Sequence, residues 1–261
     1  MDILNKDDIA ALLQYDLNIE VETTVDSTNT ILKQLGRQGA PEGVVLLADN
    51  QTGGRGRRGR SFFSPPGCGL YFSILLRPNL LPQKAALLTT AAAVAVSDAI
   101  DCVCGVHSSI KWVNDVFVGD KKCCGILTEA DIDPATGKLD FAVVGIGINV
   151  LPPKDSFPDE LAGIAAPIYD TRPDTAVRSR LAAEVLNRFF ALYRAGDTAA
   201  FIDTYRQKSR VIGHHINILK GDTVTPAYAK DIDSDCNLLV VFDDGREEAL
   251  SSGEISIRVT K

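Results

Sequence analysis

The feature that most constrains the fold is a glycine–arginine loop at residues 54–60 (GRGRRGR), which lies between two apolar segments of strand length. The string matches G-x-G-x-x-G, the phosphate-binding turn of dinucleotide-binding folds, in which a helix opens directly after the glycines. Here the loop is followed by SFFSPPG, and Pro65 and Pro66 are incompatible with the first turns of a helix. An acidic residue for a ribose hydroxyl is also missing at the expected offset, and G-x-x-x-x-G-K-[ST] is absent. The loop therefore argues against both a doubly wound dinucleotide-binding fold and a Walker-type phosphate loop.

The loop concentrates positive charge in an acidic chain. Residues 51–60 hold four arginines and no acid, whereas the 261-residue chain has a net charge of −7. That acidity argues against a nucleic-acid binder that works by bulk electrostatics. Glycines let a backbone approach an anion closely, and guanidinium groups grip phosphate or carboxylate in a bidentate way. The string alone leaves three interpretations open: a small-anion site, an RNA-contacting tract and a solvated loop.

Apolar periodicity predicts a mixed sheet-and-helix domain followed by a small β domain. Strands are predicted at 19–25, 43–50, 70–76, 109–118, 123–129 and 141–150, and helices at 28–35, 84–100, 177–193 and 198–209. The strand at 141–150 is expected to be broken by Gly145 and Gly147. After about residue 210 the pattern changes to short strands at 216–219, 224–229, 238–242, 248–251 and 255–259. We therefore predict an α+β (mixed α/β) domain over residues 1–210 and an all-β domain over residues 211–261.

The sequence favours a cytoplasmic protein with no membrane segment. The N-terminus is acidic and lacks a long apolar core, which argues against a signal or transit peptide. The most apolar stretch, at 85–96, has twelve residues and is shorter than the roughly 20 that span a bilayer, so we expect a buried helix. Six cysteines show no C-x-x-C spacing and are expected to be buried, reduced thiols: Cys68, Cys102, Cys104, Cys123, Cys124 and Cys236.

Four motifs occur in order along the chain. They are DSTN at 26–29, Gln51 with the GRGRRGR loop, KWVND at 111–115 with KKCCGIL at 121–127, and GIGIN at 145–149. Together they closely resemble the biotin–protein ligases, or biotin–[acetyl-CoA-carboxylase] ligases. The resemblance runs from about residue 20 to the end, where GEIS at 253–256 resembles the small SH3-like C-terminal domain of that family.

The resemblance implies an enzyme with a two-step reaction. Biotin would be activated by ATP, with Mg²⁺, as biotinyl-5′-adenylate, and then transferred to a lysine of a biotin carboxyl carrier domain. A lipoate–protein ligase or acyltransferase of the same fold is the alternative within enzymes, and the arginine-loop sequence favours biotin. An alternative of another class is a nucleic-acid-binding module that uses the RGRRGR tract, although stacking aromatics are sparse around it.

The resemblance also assigns site residues. Lys122 and Arg57 are the predicted catalytic residues, and Asp115 is a candidate Mg²⁺ ligand. The predicted biotin-binding set is Ser27, Thr28, Asn29, Gln51, Gly54, Arg55, Gly56, Arg57, Lys122, Gly125, Leu127, Gly145 and Gly147. The predicted ATP-binding set is Arg57, Arg60, Phe62, Lys111, Asn114, Asp115, Lys122 and Asn149, with Phe62 expected on the adenine side.

Simpler interpretations apply to several of these residues taken singly. Ser27 is also a natural helix N-cap, the glycines at 145 and 147 are compatible with a strand kink, and Asn114-Asp115 with a turn. Trp112 is expected in the core rather than at a ligand.

The chain departs from the family in two places. Val113 replaces the proline of the usual K-W-P-N-D tetrad, and two cysteines, with possible oxidation sensitivity, follow the predicted active lysine. Some family members carry an N-terminal winged-helix domain, for which about 25 residues before Asp26 are too few. We therefore expect a ligase-only form without specific DNA binding, acting as a monomer or homodimer.

Overall fold

The computed structural model describes residues 2–196, 198–220 and 223–257, which contain two β-sheets. The larger sheet has seven strands in the order β1-β2-β3-β7-β6-β5-β4. Its first two strands are parallel and all other neighbours are antiparallel. The strands are β1 (Asn18–Val25), β2 (Val44–Gln51), β3 (Gly69–Leu76), β4 (Ser108–Lys111), β5 (Asp115–Val118), β6 (Lys121–Ile132) and β7 (Leu139–Asn149).

Helices cover both faces of this sheet. They are α1 (Lys6–Ala10), α2 (Thr28–Arg37), α3 (Ala85–Cys104), α4 (Arg178–Ala195) and α5 (Thr198–Gln207). One face packs against α2, where Leu32 meets Phe141 and their neighbours in a small apolar cluster. The other face packs against α3, which in turn contacts α4, and holds the main core. The sheet is thus buried on both sides, which explains why every residue of β3 is buried and nearly all are apolar or aromatic.

Helix α3 extends past the predicted end at residue 100, and it is longer than the twelve-residue apolar stretch on which the length argument rested. At 20 residues it has the length and composition to cross a bilayer, so the length argument made from the sequence was wrong. Its most apolar window is nevertheless 72% buried inside the protein, against the sheet and α4. It is therefore the central core helix, as its alanine-rich composition predicted.

Two strand predictions were wrong. Residues 109–118 do not form one strand, because the chain reverses at Trp112–Asn114 and β4 and β5 pair as an antiparallel hairpin. Because Trp112 and Val113 in this turn are apolar, the hydrophobic pattern of the sequence does not indicate that the chain reverses direction there. Strand β7 is not broken by Gly145 and Gly147, because β3 and β6 pair with it on both sides throughout.

The C-terminal sheet is antiparallel, with strand order β11-β10-β9-β8-β12. The strands are β8 (His215–Lys220), β9 (Thr223–Ile232), β10 (Leu238–Phe242), β11 (Glu247–Leu250) and β12 (Glu254–Ile257). Residues 258–259 of the predicted last strand lie outside the described residues. The predicted domain boundary after residue 210 stays a prediction, and it falls between α5 and β8.

The C-terminal sheet is docked on the larger domain by specific bonds. Trp112 donates its indole N–H to the carbonyl of Cys236 at 2.9 Å, and Arg206 donates to the carbonyl of Ile232 at 2.6 Å. Trp112 is buried, as predicted. A ring that is both packed and hydrogen-bonded fixes the position of the second sheet beside the end of β4.

The cysteine prediction was partly wrong. Cys68, Cys123, Cys124 and Cys236 are buried free thiols, but Cys102 near the end of α3 is exposed and Cys104 is half-buried.

Candidate active site

Two adjoining cavities share the arginine loop as a wall. The first is a narrow slot of about 30 Å³, lined by Ser27, Thr28, Asn29, Gln51, Arg55, Phe62, Phe72, Leu127, Gly145, Ile146 and Gly147. The second, of about 560 Å³, includes Arg55, Gly56, Arg57, Arg58, Arg60, Phe62, Lys111, Asn114, Asp115, Lys122, Gly125, Leu127 and Asn149. The residues predicted for the biotin ring therefore line the slot, and the residues predicted for ATP line the larger cavity.

The arginine loop is a closed hairpin. Its stem is formed by hydrogen bonds from Phe62 N to Gly54 O at 2.9 Å and from Gly56 N to Arg60 O at 2.7 Å. At the tip, residues 57–59 make a single 3₁₀ turn in which Arg58 has a left-handed backbone (φ 56°). No helix follows in the described chain before β3, which confirms the sequence argument against a dinucleotide-binding turn.

Two arginines of the loop point to opposite walls of the site. Arg57 donates to the side-chain carbonyl of Asn114 at 2.8 Å, and Arg55 lies 3.3 Å from the carboxylate of Glu129. The hairpin is thereby held across the mouth of both cavities. Arg55, in the stem of the loop, lines both cavities, and Arg57, at its tip, lines the larger one.

A hydrogen-bond network forms the polar end of the slot. Gln51 accepts from the backbone N–H of Thr28 at 2.9 Å, and its amide N–H donates to Ser64 at 3.1 Å. The hydroxyls of Thr28 and Ser73 lie 2.7 Å apart, and Ser73 donates to the side-chain carbonyl of Asn29 at 2.6 Å. Since each partner fixes the next, the donors and acceptors facing the slot have defined directions.

Ser27 is placed at the N-cap position of α2, as the simpler interpretation allowed. Its side chain is buried and makes no capping hydrogen bond among the described residues. It lines the slot instead. The structure thus favours the binding interpretation of Ser27 over the capping one.

Two glycines of β7 leave space for side chains that line the slot. A Cβ added at Gly145 would lie 2.0 Å from the side-chain oxygen of Asn29, and one at Gly147 would lie 2.5 Å from the ring of Phe62. Glycine is required at both positions, because these neighbours approach the strand backbone directly. Phe62 therefore lies against glycines predicted for biotin, rather than only on the adenine side as expected, and it lines both cavities.

Lys122 is brought into the larger cavity by an irregularity between β5 and β6. The register shifts after Val116, so that Phe117 pairs with Lys122 and Val116 pairs with Cys124. A bulge of this kind re-aims side chains next to a site. The Lys122 ammonium lies 2.6 Å from a carboxylate oxygen of Asp115, and both side chains are about a quarter exposed (27% and 21%).

The two cysteines after Lys122 have high thiol pKa values. Burial raises the pKa of Cys123 to about 12, and burial also raises the pKa of Cys124 well above its ordinary value. Because the thiolate is the reactive form, burial and a raised pKa both disfavour oxidation of these two residues at neutral pH. The oxidation sensitivity considered from the sequence is therefore not supported by the structure.

The KWVND segment places Asn114 across from the arginine loop. The Asn114 amide donates to the carbonyl of Ile126 at 3.0 Å, and its carbonyl accepts from Arg57. Asn114 is thus a link between β6 and the loop as well as a turn residue. Lys111 and Asn149, at the ends of β4 and β7, also line the larger cavity.

Gly54 is the predicted residue that lines neither cavity. A Cβ there would lie 2.3 Å from the carbonyl of Phe62 and 2.7 Å from the hydroxyl of Ser64. Glycine at this position lets the two sides of the loop stem approach each other. Its role is to close the loop.

Several site residues were missed by the sequence analysis. Ser73 and Glu129 belong to the slot network, and Gly253 and Ile255 from the C-terminal domain line the larger cavity. Ser73 is the single serine in the otherwise apolar and aromatic strand LYFSILL, which is a pattern that was available in the sequence. The contribution of the C-terminal domain depends on docking and has no local pattern.

A third cavity, of about 950 Å³ and thus larger than these two, lies elsewhere, beside residues 2–6 and 172–178. The predicted site residues do not line it. Arg178, which is only 1% exposed, pairs there with Asp49 at 2.6 Å and with Asp2. Arg178 thus links the N-terminal segment, β2 and the start of α4 beside this cavity.

Comparison with known proteins identifies the family. Residues 21–149 match the Biotin/lipoate A/B protein ligase family, and residues 211–258 match the Biotin protein ligase C terminal domain. The biotin–[acetyl-CoA-carboxylase] ligase of Mycobacterium tuberculosis is 32% identical over 248 residues, covering 91% of this chain and 88% of that protein. This chain belongs to the biotin/lipoate A/B protein ligase family, and within it to the biotin protein ligases.

Other relatives extend the comparison. A bifunctional ligase/repressor of Bacillus spizizenii is 37% identical over 180 residues, covering 69% of this chain and 55% of that protein. The chain therefore spans about half the length of this relative. The structure of the Aquifex aeolicus biotin protein ligase in complex with biotin and ATP has a TM-score of 0.72 and 28% identity, and covers 93% of this chain and 99% of that one. The predicted fold class, including the SH3-like C-terminal domain, is confirmed.

Proposed function

We propose that this protein is an ATP-dependent ligase that activates biotin as biotinyl-5′-adenylate and transfers biotin to a lysine of a biotin carboxyl carrier domain. The observation that carries the proposal is the junction of the two cavities. A slot lined by hydroxyl and amide groups opens, past Arg55 and Phe62, into a larger cavity lined by arginine and lysine. This arrangement suits a small polar ring with a carboxylate tail that meets a nucleotide phosphate.

The first half-reaction joins two anions. A carboxylate oxygen of biotin attacks the α-phosphorus of ATP, the bond to the bridging oxygen breaks, and pyrophosphate leaves. Fixed cations have to offset the repulsion and hold the groups in line. We assign this role to Lys122 and Arg57, which both line the larger cavity, with Arg60 and Lys111 assigned to the phosphates.

Asp115 and Asn114 hold the two catalytic cations in place. Asp115 pairs with the Lys122 ammonium at 2.6 Å, and Asn114 accepts from Arg57 at 2.8 Å. Each cation is therefore oriented before the substrates arrive. Pre-organised charge of this kind stabilises a transition state without reorganisation at the moment of reaction.

The second half-reaction transfers the acyl group. The neutral ε-amine of the acceptor lysine attacks the carbonyl carbon of the mixed anhydride, the bond to the phosphate oxygen breaks, and AMP leaves. The proton lost by the amine passes to solvent or to the departing phosphate. The acceptor is a biotin carboxyl carrier domain, because relatives of this chain are named as ligases for acetyl-CoA carboxylase.

Magnesium accompanies the nucleotide in this proposal. Among the residues that the structure describes, no group of three or more histidine, cysteine, aspartate or glutamate side chains is placed to hold a metal ion. Asp115 and Glu160 are carboxylates that line the larger cavity. One protein carboxylate plus phosphate oxygens is an arrangement that Mg²⁺ commonly takes, so Asp115 fits as the protein ligand.

Neither alternative function is favoured. Two relatives of this chain are named biotin–[acetyl-CoA-carboxylase] ligases, and lipoate enters only through the family description. The nucleic-acid alternative gains no support from the loop, because two of its arginines, Arg55 and Arg57, contact Glu129 and Asn114 of the site.

The test is incubation of the protein with ATP, Mg²⁺, biotin and a carrier domain, followed by mass spectrometry of the carrier. We expect one biotin per carrier with AMP formation, and no transfer of lipoate under the same conditions. Lys122→Ala and Arg57→Ala are expected to lower adenylate formation at least 100-fold, the order expected when a charge-stabilising group is removed. AMP-forming turnover with lipoate and none with biotin would refute the proposal.

Three further expectations complete the proposal. We propose that the protein acts in the cytoplasm, as a monomer or homodimer, and without specific DNA binding. Fractionation, light scattering and a gel-shift assay with operator-length duplex DNA test these in turn. A sequence-specific shift at physiological salt would contradict the last of them.

A further inference from the structure

A single carboxylate lies between the slot and the arginine loop. Glu129, on β6, accepts from the ammonium of Lys33 at 2.9 Å and from the side-chain amide of Asn29 at 3.1 Å. The guanidinium of Arg55 lies 3.3 Å from the same carboxylate. The Glu129 side chain is only 16% exposed, so these partners replace most of its water.

Glu129 determines which way the Asn29 amide faces. Ionised carboxylate oxygens only accept hydrogen bonds, so the NH₂ group of Asn29 has to point toward Glu129. The same NH₂ group donates to the carbonyl of Leu127 at 3.3 Å, and the amide oxygen accepts from Ser73 at 2.6 Å. With all of these partners in place, the amide of Asn29 has a single orientation at the slot.

Glu129 also holds one end of the arginine loop. Arg55 lines both cavities, and its side chain is 47% exposed. Its pairing with Glu129 places a positive charge at the mouth of the slot. When the ring of a carboxylic acid lies in the slot and its tail extends toward the larger cavity, the carboxylate at the end of the tail passes close to this charge.

The charges around Glu129 keep it ionised. Burial acts to raise the pKa of Glu129, but the hydrogen bonds from Lys33 and Asn29 and the charges of Lys33 and Arg55 outweigh it and hold the pKa below its usual range. The carboxylate therefore remains an acceptor throughout the neutral range.

We propose that Glu129 is a positioning residue for the carboxylic-acid substrate, which fixes the Asn29 amide for ring recognition and holds Arg55 at the mouth of the slot. The proposal rests on the assignment of Asn29 and Arg55 to biotin in the proposed function. Glu129 itself does not take part in the bond changes. Its removal should therefore act on binding of the acid and not on the chemical step.

The test compares Glu129→Gln with matched variants. The glutamine has the same shape but carries no charge, and its own NH₂ group competes with that of Asn29. We expect the Kd for biotin, measured by calorimetry, to rise about tenfold, equivalent to loss of one charge-assisted hydrogen bond. The Kd for ATP is expected to stay within twofold. The rate of adenylate formation at saturating biotin is expected to stay within threefold, and Glu129→Asp to recover part of the affinity.

Two controls separate positioning from a structural link between α2 and β6. Asp131→Asn breaks the neighbouring pair between the same elements, where Arg37 donates to Asp131 at 2.7 Å, and is expected to leave the Kd for biotin unchanged. Lys33→Met removes the helix partner of Glu129 but keeps its carboxylate. It is expected to raise the Kd for biotin by less than threefold.

Three results would overturn the proposal. One is a Kd for biotin within twofold of wild type in Glu129→Gln. Another is an equal loss in Lys33→Met, which would mean that the link between helix and strand is what matters. The third is a parallel loss of ATP and biotin binding with a lower urea midpoint, which would mean general destabilisation. Wild-type protein that neither binds biotin nor forms AMP from it would instead refute the proposed function.

Discussion

Gly145→Ala tests whether close packing over β7 sets the affinity for biotin. An added methyl group would lie 2.0 Å from the side-chain oxygen of Asn29 and 2.8 Å from its Cγ, whereas ordinary contacts begin at 3.4 Å. The amide would have to withdraw by about 1.4 Å to restore a normal contact. Strand β7 cannot yield instead, because Gly145 is paired with Ser73 on one side and with Leu127 on the other.

The expected cost follows from what holds the amide in place. Withdrawal of Asn29 disrupts its 2.6 Å bond from Ser73 and would remove the contact with biotin that the proposed function assigns to it. Overpacking of this kind lowers the free energy of unfolding by about 1–3 kcal/mol. Loss of one net hydrogen bond to the ligand, about 1.4 kcal/mol, raises the Kd for biotin about tenfold.

The measurements are calorimetric titration with biotin and urea unfolding. Gly36→Ala is the control, because its methyl group would lie 2.7 Å from the ring of Phe141, outside the site. It should lower the urea midpoint and leave the affinity for biotin unchanged. Wild-type biotin affinity in Gly145→Ala would refute the reasoning, as would an equal loss of affinity in Gly36→Ala.

Three further predictions concern stability and reactivity. Arg178→Met leaves the carboxylates of Asp2 and Asp49 without their buried cation and is expected to cost about 3–5 kcal/mol of unfolding free energy, measured by urea denaturation; a loss below 1 kcal/mol would contradict this. Iodoacetamide at pH 7.5 is expected to label Cys102 and to spare the buried thiols, as read by peptide mass spectrometry. Burial acts to raise the pKa of Asp101, but hydrogen bonds from Lys208 and Ser108 outweigh this effect, so the pKa lies below its usual range. The stability difference between wild type and Asp101→Asn is therefore expected to be constant from pH 5 to 7 and to shrink below about pH 4, where the carboxylate becomes protonated. A difference that grows as the pH falls would contradict that sign.

Much of the fold was predictable because its elements carry local periodicity. The amphipathic helix α4 and its end at Gly196, which adopts a left-handed backbone, follow from side-chain spacing and a glycine cap. The β4–β5 hairpin was missed because two residues of its turn, Trp112 and Val113, are apolar and buried in the core. Trp112 also contacts the C-terminal domain. Here tertiary packing overrides the turn preferences of the sequence.

The site was predictable from the sequence where the type of a residue indicates by itself what it binds. Arginines and a lysine near glycines indicate an anion site, and the structure brings them to one cavity. Glu129 was not predictable, because a single carboxylate near the middle of a strand is usually a solvated residue. Its importance comes from partners that lie 96 and 100 positions away in the chain. Such a contact exists only once α2 has packed against β6.

The contribution of Gly253 and Ile255 to the larger cavity has a consequence for the order of events during synthesis. Strand β12 completes its sheet by pairing with β8 rather than with the preceding strand β11. The residues of this wall are therefore synthesised more than 100 positions after Gly147, the last residue that lines the slot. The slot, whose lining residues all lie before position 150, can assemble earlier. A nascent chain should thus acquire the biotin slot before it acquires a complete nucleotide chamber, and a ribosome stalled late in translation would display one without the other.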